Sequence, residues 1–167
     1  MILGMSTAAF TTLHVIISLI GIVSGIVVVL GMCQGNRLPR WTALFLVSTV
    51  LTSATGFLFH SASFGPPHVI GVISLVILAV AIVALYLKHL AGSARWIYII
   101  SAVVALWFNA FVGVIQAFQK IAFLRPLAPT QKEPPFIAAQ LLVLAFFAVV
   151  TVIALKRFPA RTIRSLV

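Results

Sequence analysis

Five stretches of this chain run for 20 residues or more without a charged side chain: Thr11 to Gly35, Trp41 to His60, His68 to Leu87, Trp96 to Gln119 and Phe136 to Leu155. An α-helix rises ~1.5 Å per residue, so each run can cross ~30 Å of hydrocarbon. In lipid the backbone has no water to bond, and a helix satisfies it internally. With 63% hydrophobic and 7% charged residues, the 167-residue chain has too little polar surface to coat a water-soluble globule. The expected fold is therefore all-α, an integral membrane bundle of about five transmembrane helices in one domain. The helices are placed at about 8–33, 41–60, 68–88, 96–119 and 136–155, with a loop over 121–135 and a tail over 156–167.

Breaker clusters mark the turns: Gly35-Asn36 with Pro39, Gly65-Pro66-Pro67, Gly92-Ser93, and a long segment carrying Pro126, Pro129, Pro134 and Pro135. No Lys or Arg precedes the first run and no small-residue cleavage pattern closes it, so it reads as a retained helix. Eleven Lys and Arg against a single acid would suggest nucleic acid in a soluble chain. Here the bases sit at the ends of apolar runs, where cytoplasmic retention and anionic lipid head groups account for them without nucleic acid. Arg37, Arg40, Lys88, Arg95, Lys156, Arg157, Arg161 and Arg164 fall on one side, and Lys120, Arg125 and Lys132 on the other. The basic side is expected to be cytoplasmic, with the N-terminus outside and the C-terminal tail inside; the short loops suit a bacterial inner membrane. Cys33 is the sole cysteine, so no internal disulfide or thiolate cluster can form.

At ~100° per residue, polar and small residues collect on one stripe of each span, the side expected to face other helices. The stripes are Thr7, His14, Ser18, Gly21 and Gly25 on helix 1, and Thr42, Thr49, Ser53, Gly56 and His60 on helix 2. Helix 3 aligns His68, Leu75, Ala79 and Tyr86, with Gly71 beside them. Helix 4 aligns Tyr98, Ala102, Ala105, Asn109, Gly113, Gln116 and Lys120, and helix 5 adds Gln140, Thr151 and Ala154. Gly21-x-x-x-Gly25 reads as close backbone packing. His14-Val15-Ile16 and His68-Val69-Ile70 open helices 1 and 3, and Arg40-Trp41 and Arg95-Trp96 open helices 2 and 4, at His-to-Arg offsets of 26 and 27 residues. A tandem hairpin repeat would set His14 and His68 face to face.

His14, His60 and His68 share one depth near the outer face, where Gln116 and Gln140 could join them and Asn109 lies about two turns deeper. Three chemistries would use that layer. A b-type haem takes one imidazole from each side of its iron, here His14 and His68, with His60 beside them and Lys120 and Arg125 for the propionates. A copper or zinc ion would take His14, His60 and His68 together, with Met1 or Met5 as a further soft ligand for cuprous copper. A quinone could bond a buried His and Gln while Phe118, Phe123 and Phe136 line its ring. The competing account is structural: interfacial histidines that cap and pack helix ends. Asn109, Gln116 and Gln140 equally suit interhelical hydrogen bonding, and His89 suits solvation or a cap on helix 3. Glu133 sits in a proline-pinned loop that could cover the histidine layer, meet a partner, or let the carboxylate pair with Lys132 or Lys120.

The chain carries no membrane-embedded carboxylate, no phosphate loop, no paired carboxylates, no H-E-x-x-H pattern and no acid for a catalytic triad within a span. Any enzyme activity would have to come through a cofactor. Two functions remain: a small haem- or metal-binding membrane protein engaged in electron transfer, or a non-catalytic accessory subunit of a larger membrane complex or homo-oligomer.

Overall fold

The structure is a computed structural model that describes residues 2–59 and 65–159. Five α-helices alternate in direction: α1 (Thr7–Cys33), α2 (Pro39–Gly56), α3 (Pro66–Ile82), α4 (Ala94–Lys120) and α5 (Pro134–Arg157). Four spans, α1, His68–Leu87, α4 and α5, are long and apolar enough to cross a membrane. The fifth, α2, is an 18-residue helix in which six Ser and Thr side chains dilute the apolar ones. No strand occurs among the described residues; an isolated bridge joins Ile2 and Met5 just before α1.

Local chemistry explains the starts. The Ser6 hydroxyl accepts the Ala9 N–H at 3.2 Å and caps α1. Proline occupies the first turn of α2, α3 and α5, where a missing N–H removes a donor that would be orphaned anyway. The end of helix 2 corrects the expected bound, and the end of helix 3, near the expected residue, holds a detail the sequence does not announce. Helix 2 closes at Gly56 rather than His60, with Phe57 and Leu58 turning back onto Ala54 O and Thr55 O. Helix 3 does not run evenly to its end: Val83–Leu87 widens into a π-turn, with Lys88 N–H bonded to Val83 O at 2.9 Å. Beyond it His89 and Leu90 adopt φ values of 50° and 62°. Such left-handed backbone costs L-residues of order 1–3 kcal/mol each; at Leu90 it drives the side chain into the core, where it is 3% exposed.

Along the bundle axis α1 pairs most closely with α2, and α4 lies against α3 on one side and α5 on the other. The core is small-to-large: Ala81, Ala102, Ala105 and Ala154 let helices approach, while Phe10, Phe45, Leu78, Tyr98, Ile99 and Leu106 fill between them. Gly25 is the tightest crossing, since a Cβ there would lie 2.6 Å from Leu106 and 2.8 Å from Phe45. Gly21 sits against the hydroxyls of Ser48 and Thr49, so the small-residue pair of α1 is packing, as expected.

The inward faces of α1, α2 and the first half of α4 follow the expected stripes, with Gly21, Gly25, Thr42, Thr49, Ser53, Tyr98, Ala102 and Ala105 all buried. That of α3 does not. Ser74, Leu78, Ala81 and Ala84 are buried, whereas Ala79 and Tyr86 face outward. Apolar residues surround most of the helix, and its one hydroxyl, Ser74, faces inward, where it accepts from Ser53 at 3.2 Å.

Candidate functional site

At the end of the bundle holding the α1 N-terminus, His14 points across to α2. Its Nδ1 lies 2.8 Å from Thr55 Oγ1, and its ring meets Phe59 edge-on at 5.2 Å. The Thr55 hydroxyl donates its single hydrogen to Leu51 O at 2.7 Å. With that hydrogen given to Leu51 O the hydroxyl accepts from His14, an arrangement that places the imidazole proton on Nδ1 and leaves the Nε2 lone pair uncommitted to that bond. His14 is half-buried, and the Lys120 ammonium is near enough to act on it electrostatically.

His68 is organised the opposite way. Its backbone N–H donates to Gly65 O at 3.0 Å, while its Nδ1 accepts the Gly65 N–H at 3.2 Å. This reciprocal pair caps α3 and puts the proton of a neutral His68 ring on Nε2. The ring also lies 5.9 Å from Phe57. Both imidazoles thus bracket the end of α2, His14 through Thr55 and Phe59, His68 through Phe57. His60 lies outside the described residues, as does any triad built with it. No group of three His, Cys, Asp or Glu side chains suited to a metal ion occurs among the described residues.

The amides take structural roles. Asn109 Nδ2 donates to Thr49 Oγ1 at 3.4 Å, and Gln140 Nε2 crosses from α5 to Phe111 O of α4 at 3.2 Å. Gln116, expected to be buried, is exposed on α4. Arg125 opens a 3-10 turn (Arg125–Leu127) and lines a shallow polar hollow of about 540 Å³ with Gln119, Thr130 and Gln131. The Glu133 carboxylate is not aimed at a lysine ammonium. It accepts from the Thr130 hydroxyl at 2.8 Å and from the N–H groups of Thr130 and Lys132, each at 3.0 Å. Slight desolvation opposes its charge, but those hydrogen bonds prevail and hold its pKa below the usual carboxylate value.

Thr55 is the site residue that sequence reasoning missed. Its signal lay in hydroxyl content alone, since the partner is 41 residues away. The opposite end of the bundle is organised by arginines. Arg95 Nη1 donates to Leu155 O at 3.0 Å and Phe158 O at 2.7 Å, Arg37 Nη2 to Pro159 O at 3.1 Å, and Arg157 Nη1 to Cys33 O at 3.4 Å. No family model, curated protein or solved structure matches this chain.

Proposed function

We propose that this membrane protein uses His14 Nε2 as a ligand nitrogen for the iron of a b-type haem and serves in electron transfer. The observation that supports the reading is the Leu51–Thr55–His14 chain. A ligating imidazole needs its other nitrogen protonated and held by an acceptor, so that the ring presents a lone pair in a fixed direction. Thr55 supplies that acceptor. Lys120 lies on the same side, where a propionate would find a cation. For His68 to be the second axial ligand, its ring must release the Gly65 N–H and move its proton from Nε2 to Nδ1. A bis-histidine haem on this chain therefore requires the cap of α3 to open. A copper or zinc ion at His14 is the narrower form of the same proposal, and would also draw on His60. The base asymmetry supports an inner-membrane setting with the N-terminus outside.

The test is a visible spectrum of the detergent-purified protein, oxidised and reduced, after expression with added haem precursor, with metal analysis of the same sample. A Soret band that disappears in His14→Ala and shifts in Thr55→Val is the expected result. A spectrum without a chromophore in a metal-free sample would overturn it. The accessory-subunit reading would then stand, supported by α5, which buries only Phe147, Val150 and Ala154 and leaves Leu141, Leu142, Phe146 and Val149 facing outward.

A further inference from the structure

At the arginine end, remote from His14, a cavity of about 190 Å³ opens between the end of α1, the start of α2, the π-turn of α3 and the base of α4. Its apolar wall includes Val28, Met32, Leu85, Leu90 and Phe158. Its polar lining is the exposed Asn36, Arg37 and Tyr86 and the buried hydroxyls of Thr42 and Tyr98. Three features of the fold create it. The wide turn at Val83–Leu87 carries Leu85 and Tyr86 into its wall, the left-handed His89–Leu90 pair ends in a buried Leu90 side chain that also lines it, and Phe158 is held beside them by Arg95 and Tyr98. π-turns concentrate at functional sites.

The charge at this cavity is one-sided. Arg37 is exposed, uses one guanidinium nitrogen on Pro159 O, and spreads over the Phe158 ring at 5.8 Å. Beside it α2 begins at Pro39 without a side-chain cap, so the N–H groups of Arg40 and Trp41 add positive potential at the same mouth. Arg40, Lys88, Arg95, Lys156 and Arg157 share this end, and the only acid in the chain is Glu133 at the other. The volume is smaller than the ~300 Å³ at which pockets begin to enclose a drug-sized ligand. It admits part of a molecule whose remainder lies in the bilayer.

We propose that this cavity is a binding site for one anionic phospholipid, with the phosphate on Arg37 and the open start of α2 and the upper part of an acyl chain against Met32, Leu85 and Phe158. A guanidinium matches phosphate oxygens in a paired geometry, and the apolar wall distinguishes a lipid phosphate from a free one.

Native mass spectrometry of the full chain in detergent tests this, using phosphatidylglycerol, phosphatidylcholine and inorganic phosphate in turn. The expected result is a single phosphatidylglycerol retained about tenfold better than phosphatidylcholine, whose phosphate meets the same arginine but whose choline cation is repelled by the basic end. Arg37→Gln should abolish that preference, while Lys156→Gln, at the same end but not lining the cavity, should leave it intact. Leu85→Trp, which fills the apolar side, should lower phosphatidylglycerol retention with Arg37 still present, so the proposal stays testable if Arg37→Gln fails to fold. Equal retention of the two lipids by the unmodified chain would overturn the proposal. So would equal loss in Arg37→Gln and Lys156→Gln, which would indicate diffuse charge, or phosphate retention undiminished in Leu85→Trp together with lipid retention, which would indicate a surface anion site.

Discussion

The arginine end and the histidine end of this bundle meet the same requirement with opposite chemistry. Five alternating helices bring three C-termini to the arginine end and three N-termini to the histidine end. Helix C-termini present unpaired carbonyls and negative potential, and N-termini present unpaired N–H groups and positive potential. Arg37, Arg95 and Arg157 accordingly donate to main-chain carbonyls at one end. At the other, the Ser6 hydroxyl, the His68 ring and the Glu133 carboxylate accept from main-chain N–H groups. The charge asymmetry that suggests an orientation across the membrane is therefore also matched to the helix dipoles. One end is fastened by cations; the other is held by neutral groups and a single anion.

Removing a fastening at the arginine end should have the largest effect. Arg95→Gln leaves Leu155 O and Phe158 O without their charged donor and should destabilise the bundle by about 2–3 kcal/mol, read as a lowered thermal midpoint in detergent. Lys120→Gln at the opposite end should change it by under ~0.5 kcal/mol. Equal losses would show that the two ends do not differ as described. Packing gives the next contrast. Gly25→Ala should cost about 1–3 kcal/mol by pressing on Leu106 and Phe45. Gly113→Ala, where the new methyl would meet only Ile22 at 3.8 Å, should be neutral or stabilising by under ~1 kcal/mol. Denaturant titration of the pair checks both signs.

A double-mutant cycle of His14→Ala and Thr55→Val should give a coupling of about 1 kcal/mol, the net worth of one hydrogen bond. A coupling of zero would remove the fixed tautomer. The smallest effect concerns Glu133. Its folded pKa lies below its unfolded value, so its contribution is present above the unfolded pKa and is lost as pH falls through the folded one. The stability difference between the parent chain and Glu133→Gln should narrow on acidification, and Thr130→Ala should move that narrowing to higher pH. A difference constant down to pH ~3 would contradict the hydrogen-bonded carboxylate.

The spans, the turns, the segregation of bases and the Gly21–Gly25 crossing were legible because each depends on local composition. So was the buried side of α2, where Thr42, Thr49 and Ser53 interrupt apolar residues at helical spacing. The face of α3 was misread, because Val, Ile, Leu and Ala surround it and its one hydroxyl, Ser74, was not on the expected stripe. The π-turn had no signature, since Val83 to Leu87 would sit equally well in a regular helix. For the candidate site, His14 could be singled out by residue type and depth, but its proton position depends on Thr55 and Leu51. Capping by a histidine was one of the two readings on offer, and the sequence could not choose between them at His68, since an imidazole at the third helical position is chemically able both to cap and to ligate.

The hydroxyl-rich composition of α2 bears on how the protein is made. Ser48 and Thr55 return their hydrogens to carbonyls one turn back, and Thr49 and Ser53 find partners on other helices. During synthesis the partners on α3 and α4 do not yet exist when α2 leaves the ribosome, whereas α1 has already emerged and is joined to it by a turn of five residues, 34–38. The least apolar helix is thus the one whose hydroxyls depend most on its neighbours, and α1, with which it packs most closely, is made before it.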